Sequence, residues 1–214
     1  MTDYLLNKIL IVPGILIAFV VQGYAKALVA DKLGDKTPRF QGRLSLNPVA
    51  HIDLIGFIMI LLVHFGWTKP VEVNTSALKR GRKDEIKVTM AGPIANLIVA
   101  FLALLIYGIW VNTLNGILPS SMYVIGATMI NFVCQININL FIFNLIPLPG
   151  LAGFDLFREL SPKNFYKYGS KLYEYQMPIL LLVVLFASYI LVYPSKLIYS
   201  LFALIINPIL GLFF

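Results

Sequence analysis

Long apolar blocks alternate with short polar stretches punctuated by Gly and Pro along the whole chain. The first block, 4–33, is interrupted early by Pro13-Gly14, which marks a kink or a helix start. At about 1.5 Å per residue it exceeds the bilayer core, so the pattern predicts a tilted or projecting helix. The stretch 31–48 is polar, and within it 40–46 alternates loosely, predicting a short strand or hairpin. Residues 53–66 are apolar but too few to cross twice. Residues 67–77, with Val and Thr, form a second extended candidate. Further helices are expected over 82–111, 122–145, 177–193 and 195–214. The expected architecture is an all-α polytopic membrane protein. It has about five transmembrane helices, a re-entrant segment and a small β element at the membrane surface. A single membrane-embedded domain over 1–214 is expected.

Composition agrees: 59% of the 214 residues are hydrophobic and only 13% charged, too apolar for a soluble domain. The net charge of +7 suggests nucleic acid until the positions are inspected. Of the 17 Lys and Arg, four lie in 31–47, six in 67–87 and four in 148–178, while 112–121 has none. That is the asymmetry of cytoplasmic loops, so the partner expected is the lipid bilayer and not nucleic acid. The N-terminus is then non-cytoplasmic, and 53–66 enters and leaves by one face. The run Lys79-Arg80-Gly81-Arg82-Lys83 reads as the anchor of the next helix or as a contact to anionic headgroups. The single Cys134 excludes an internal disulfide, and the start lacks the basic region of a cleavable signal sequence.

Several motifs occur in a fixed order. Tyr24-Ala25 is followed by Ala30-Asp31-Lys32-Leu33-Gly34-Asp35, then Pro38-Arg39-Phe40-Gln41-Gly42-Arg43-Leu44. Asn47-Pro48, His51-Ile52-Asp53 and Gly66-Trp67-Thr68-Lys69-Pro70-Val71 come next. Ala91-Gly92-Pro93 with Asn96, and Asn144 with Pro147 and Pro149, complete the set. In these motifs the chain resembles the site-2 protease family of intramembrane zinc metalloproteases, in its compact prokaryotic form without a PDZ domain. The resemblance implies a prokaryotic plasma-membrane protein. It also implies a cleft shaped by Asn96, Asn144, Pro147 and Pro149.

The resemblance further implies a His-Glu-x-x-His motif on the first helix and an Asp as third zinc ligand near Pro149. Here Gln22, Gly23 and Lys26 stand at the first three positions and Ala152 at the last. Two histidines at i and i+4 would ligate zinc and the glutamate would deprotonate its water. Gln is a feeble zinc ligand, Gly has no side chain and Lys is a cation without a free lone pair at neutral pH. A relocated site built from His51, Asp53 and His64 is the alternative metal set. The ten acids all fall outside the interior of the predicted spans, and Cys134 has no His or Lys partner at readable helical spacing.

Gln22 and Lys26 share one helical face. Lys26 either snorkels to the interface or fills the vacated pocket, bonding Asn144 and pairing with Asp155. Taken alone, these residues predict no cofactor and no enzyme. They predict a catalytically inactive pseudoprotease that binds transmembrane segments or other membrane proteins, with residues 67–75 pairing to an unwound strand. The alternatives are a structural subunit of a larger membrane complex and an inactivated or atypical intramembrane zinc metalloendopeptidase.

Overall fold

The computed structural model describes the backbone of residues 2–63 and 66–214, and their side chains except at 2–5, 63, 187 and 188. Helices α1 (Thr2–Leu10) and α2 (Val12–Leu33) meet at Ile11. Pro13 sits in the first turn of α2, where a missing N–H costs nothing. Leu6–Leu33 is thus the first of four stretches, among the described residues, long and apolar enough to cross a membrane. The others are Arg82–Thr113 (α6), Ser120–Asn144 (α7) and Tyr189–Leu210 within α11 (Ala187–Leu210). The chain is a membrane protein. On α6 the exposed Ile94, Ile98, Leu102 and Ile106 recur every fourth residue, a stripe suited to lipid.

Four stretches stand where about five were expected, because the proposed helix 177–193 is divided differently. Residues Gln176–Leu185 form α10, too short to span. The break falls at Phe186, and α11 continues through Pro194. A proline removes one backbone donor, which packing against neighbouring helices offsets. Beside it, Ser195 Oγ donates to Asn139 Oδ1 of α7 at 2.6 Å. Further along, a Cβ at Gly108 of α6 would meet the Leu210 side chain. Helix α11 therefore crosses the bundle once.

The core joins small residues of α6 to α7 and α11. Ala100, Ala103 and Leu104 pack on Cys134 and Ile138, and on Ile206 and Leu210. Small side chains let the backbones approach. Asn96, fully buried, donates to Asn137 Oδ1 at 3.1 Å and to the Ala18 carbonyl at 3.4 Å, tying α6 to α7 and α2.

The expected β element is reduced. Among the described residues there is no sheet; Ile52 and Thr68 form an isolated antiparallel bridge. Residues 40–46 are not a strand: α3 (Thr37–Phe40) ends there in a turn at Gly42. Pro38 opens α3, and the carboxylates at the end of α2 hold its donors. Arg39 grips both oxygens of Asp31 at 2.8 Å, and Asp35 accepts from the backbone N of Thr37 at 2.9 Å. Helices α4 (Pro48–His51) and α5 (Leu54–Val63) follow. Gly56 is buried, and a Cβ on it would lie 2.9 Å from the Trp67 backbone N. The start of α5 and the segment after it therefore lie together.

Candidate active site

Four helices and two loops converge on a polar cavity of about 120 Å³. Helix α2 supplies Gln22, Gly23 and Lys26. Asn144 closes α7, and the first turn of α8 (Ala152–Leu160) adds Ala152 and Asp155. All four positions that the sequence pattern marks as altered thus share one chamber. Thr89, Gly92 and Pro93 of α6, Gly150 and residues 68–71 complete the lining; 68–71 belong to the stretch 67–75 that the sequence marked as extended, whereas Thr89 was not legible as a site residue. Thr89 lies on α6 three residues before Gly92, a spacing that puts both on one face. A Cβ at Gly92 would approach Gln22 Cγ to 2.9 Å, so α6 passes close to α2 here.

Local bonding sets the chamber. Asn144 Nδ2 donates to Gln22 Oε1 at 3.2 Å and to the Leu140 carbonyl at 2.8 Å. It therefore meets Gln22 and not the expected Lys26. Helix α8 is held by the buried Phe154, edge-on to Phe165 and Tyr173 of α9 (Pro162–Glu174). Arg158 pairs with Glu85 of α6, with Glu159 at 3.0 Å and with Asp155 at 3.5 Å. Asp155 shares the chamber with Lys26, but its ion pair within 4 Å is to Arg158.

The extended residues 68–71 are anchored from behind. Lys69 N donates to the His51 carbonyl at 2.9 Å, Lys69 Nζ to the Val49 carbonyl at 3.1 Å and Arg43 Nη2 to the Pro70 carbonyl at 3.0 Å. Further on, Asn74 N donates to Asp35 Oδ2 at 2.8 Å. The polar motifs of 31–53 thus position a strip of backbone beside the chamber.

His51 is 1% exposed. Its Nε2 lies 2.6 Å from the Ser45 carbonyl, which can only accept, so Nε2 carries the proton. Nδ1 is buried without a hydrogen-bond partner among the described residues and faces Gly23, where a Cβ would collide with the ring. Burial lowers the His51 pKa below its ordinary value; the Ser45 carbonyl opposes this and the Arg43 charge adds to it.

The other expected residues are dispersed. Asn96 is in the bundle core; Pro147 borders a separate apolar groove of about 390 Å³ between α8, α9 and α10; Pro149 is buried in the loop before α8. Asp53 Oδ1 accepts from Gly56 N at 2.8 Å, capping α5. His64, the third member of the alternative set with His51 and Asp53, lies outside the described residues. Among the described residues no group of three His, Cys, Asp or Glu side chains could hold a metal. Cys134 is a fully buried core residue.

The residues at the chamber do not fit the zinc of the related proteases. An ammonium and a methyl group stand at two ligand positions, and His51 fills the space a carboxylate side chain at 23 would need.

Comparison with known proteins decides the family. The chain is 38% identical over 152 residues to "Putative zinc metalloprotease YwhC" of Bacillus subtilis (strain 168), covering 69% of this chain and 67% of that protein. It belongs to the site-2 protease family. "Putative zinc metalloprotease Rip2" of Mycolicibacterium smegmatis is 25% identical over 163 residues, 73% of this chain and 59% of its own length. The Rip2 of Mycobacterium tuberculosis (strain H37Rv) is 25% identical over 152 residues, 68% of this chain and 55% of its own length. No family model matches the chain, and no solved structure does. These names correct the expectation that the protein is not an enzyme, because the relatives are named as zinc metalloproteases.

Proposed function

We propose that this chain is an atypical intramembrane endopeptidase of the site-2 protease family, acting on transmembrane segments of other membrane proteins. One observation carries the reading: the positions 22, 23, 26 and 152, scattered over 131 residues of sequence, line a single polar chamber inside an apolar bundle. Beside that chamber runs the extended strip 68–71, bridged on one side to Ile52. An unwound peptide could add to such an edge, its backbone supplying the bonds that a helix would keep to itself. The membrane is the prokaryotic plasma membrane, with the three basic loops in the cytoplasm and the N-terminus outside.

The groups available for hydrolysis in this chamber are Lys26, Gln22, Asn144, Thr89 and Asp155. The test is cleavage. The full chain is reconstituted in vesicles with single-span membrane proteins whose spans contain helix-destabilising residues. Mass spectrometry should find products cut within the span, and Lys26→Met should abolish them. Intact spans after prolonged incubation would overturn the endopeptidase reading.

A further inference from the structure

The chamber's uncommitted groups are mostly donors. Lys26 is half-buried, and its ammonium has no hydrogen-bond partner among the described residues. Gln22 uses its carbonyl oxygen to accept from Asn144, which leaves its amide N–H groups free to point at a ligand. Thr89 adds a hydroxyl. The opposing acceptors are Asp155, engaged in part by Arg158, and the Oδ1 of Asn144, whose Nδ2 is the atom that binds Gln22 and the Leu140 carbonyl. Ala152 contributes only a methyl group where a carboxylate would have balanced the ammonium. A cavity so furnished repels a metal cation and complements an acceptor oxygen.

We propose that this chamber is a carbonyl-binding site, in which the Lys26 ammonium and the Gln22 amide hold the main-chain carbonyl oxygen of an unwound peptide. The inference rests on the reading that such a peptide enters here. A fixed ammonium in a water-poor site polarises a carbonyl and stabilises negative charge developing on its oxygen. Lys26 thereby supplies, as a covalently attached charge, the polarisation that its position would otherwise draw from a bound ion. Asp155 at the other side can accept the N–H of the same or the next peptide unit. A peptide, having both groups, therefore matches the chamber better than a simple anion does.

Reductive trapping tests this without any transmembrane substrate. The full chain in mild detergent is incubated at pH 9 with benzyloxycarbonyl-Leu-Leu-leucinal and sodium cyanoborohydride. An amine held beside the aldehyde carbonyl loses two protons as water leaves with the carbonyl oxygen, forming an imine. Hydride from the cyanoborohydride and a proton from water then give a stable secondary amine. Peptide mapping is expected to show Lys26 modified roughly tenfold faster than the exposed Lys83 and Lys163, because a bound carbonyl raises the effective concentration at Nζ. A capped tripeptide amide should suppress that adduct, and acetate should not. Lys26 modified no faster than the exposed lysines overturns the proposal. Equal suppression by acetate also overturns it and leaves a plain anion site. Selective trapping with intact single-span substrates would refute the endopeptidase reading alone, whereas cleavage without selective trapping would refute the carbonyl site alone.

Discussion

The imidazole of His51 occupies the space into which any side chain at position 23 would project. Its ring is held by the Ser45 carbonyl on one nitrogen and abuts Gly23 with the other. Residues 28 positions apart are thereby fitted to one another, so the composition of 23 cannot change alone. In particular, placing a glutamate at 23 requires His51 to leave its site. Restoring donors at 22, 26 and 152 would not by itself rebuild a metal centre here.

Gly23→Ala should therefore destabilise the protein by about 1–3 kcal/mol, the range for overpacking a well-filled interior. His51→Ala leaves a void and a carbonyl without its donor, so it is costly too. The double variant should be less damaged than the sum of the two, since the collision is gone. Thermal unfolding of all four proteins in one detergent gives the coupling. Strict additivity would mean that the ring and the glycine do not meet.

His51 also makes stability depend on pH. The unfolded chain takes up the proton at about pH 6.5, whereas the folded chain, with the ring buried, binds it only at lower pH. Stability is thus intact above that value and lost as pH falls through it toward the depressed native value. Unfolding followed from pH 7.5 to 5.5 should show this decline, and His51→Gln should flatten it. An unchanged slope in the variant would exclude His51 as its source.

Asn96→Leu should cost about 0.6–2 kcal/mol, the scale of an interhelical amide bond in a membrane. It removes the donor that Asn137 accepts from and the tie to the Ala18 carbonyl. Asn96→Leu with Asn137→Leu should recover part of that loss, because no amide oxygen is then left unpaired. The unfolding midpoints of the parent and of these two variants decide it.

If all four apolar stretches cross the membrane, in the topology proposed above, the two ends of the chain lie on one side, opposite the basic loops. In a Cys134→Ala background, single cysteines at Gly116 and Leu212 should react with impermeant reagents from the side opposite to cysteines at Lys79 and Lys167. Labelling of residue 79 and residue 116 from the same side would break the topology.

The spanning helices were legible because long apolar runs leave few alternatives in a bilayer. The ends of the last two were not. Pro194 suggested a boundary, but a single lost donor does not end a helix packed against α7 and α6. Alternation at 40–46 suggested a strand; Asp31 and Asp35 instead capture Arg39 and the backbone of Thr37, folding that stretch into a helical turn. Gln22, Lys26, Asn144 and Asp155 line one chamber; the order of the surrounding motifs carried the positions of Gln22 and Asn144, while Asp155 followed only from its place three residues after Ala152. The meeting of His51 with Gly23 was invisible, because it depends on how the loop after α3 returns to α2. The expectation of a non-enzyme failed for a different reason: four residues were read against the weight of the whole chain.

On the proposed reading, an unwound peptide lies in the chamber beside residues 68–71. Photo-cross-linking tests it most directly. Benzoylphenylalanine is placed at Val71, or at the lipid-facing Ile106 as a control, and the protein is reconstituted with a single-span membrane protein. The account predicts a cross-link from position 71 to the interior of the substrate's span, and none from 106. Equal cross-linking from both positions, or from 106 alone, would contradict it.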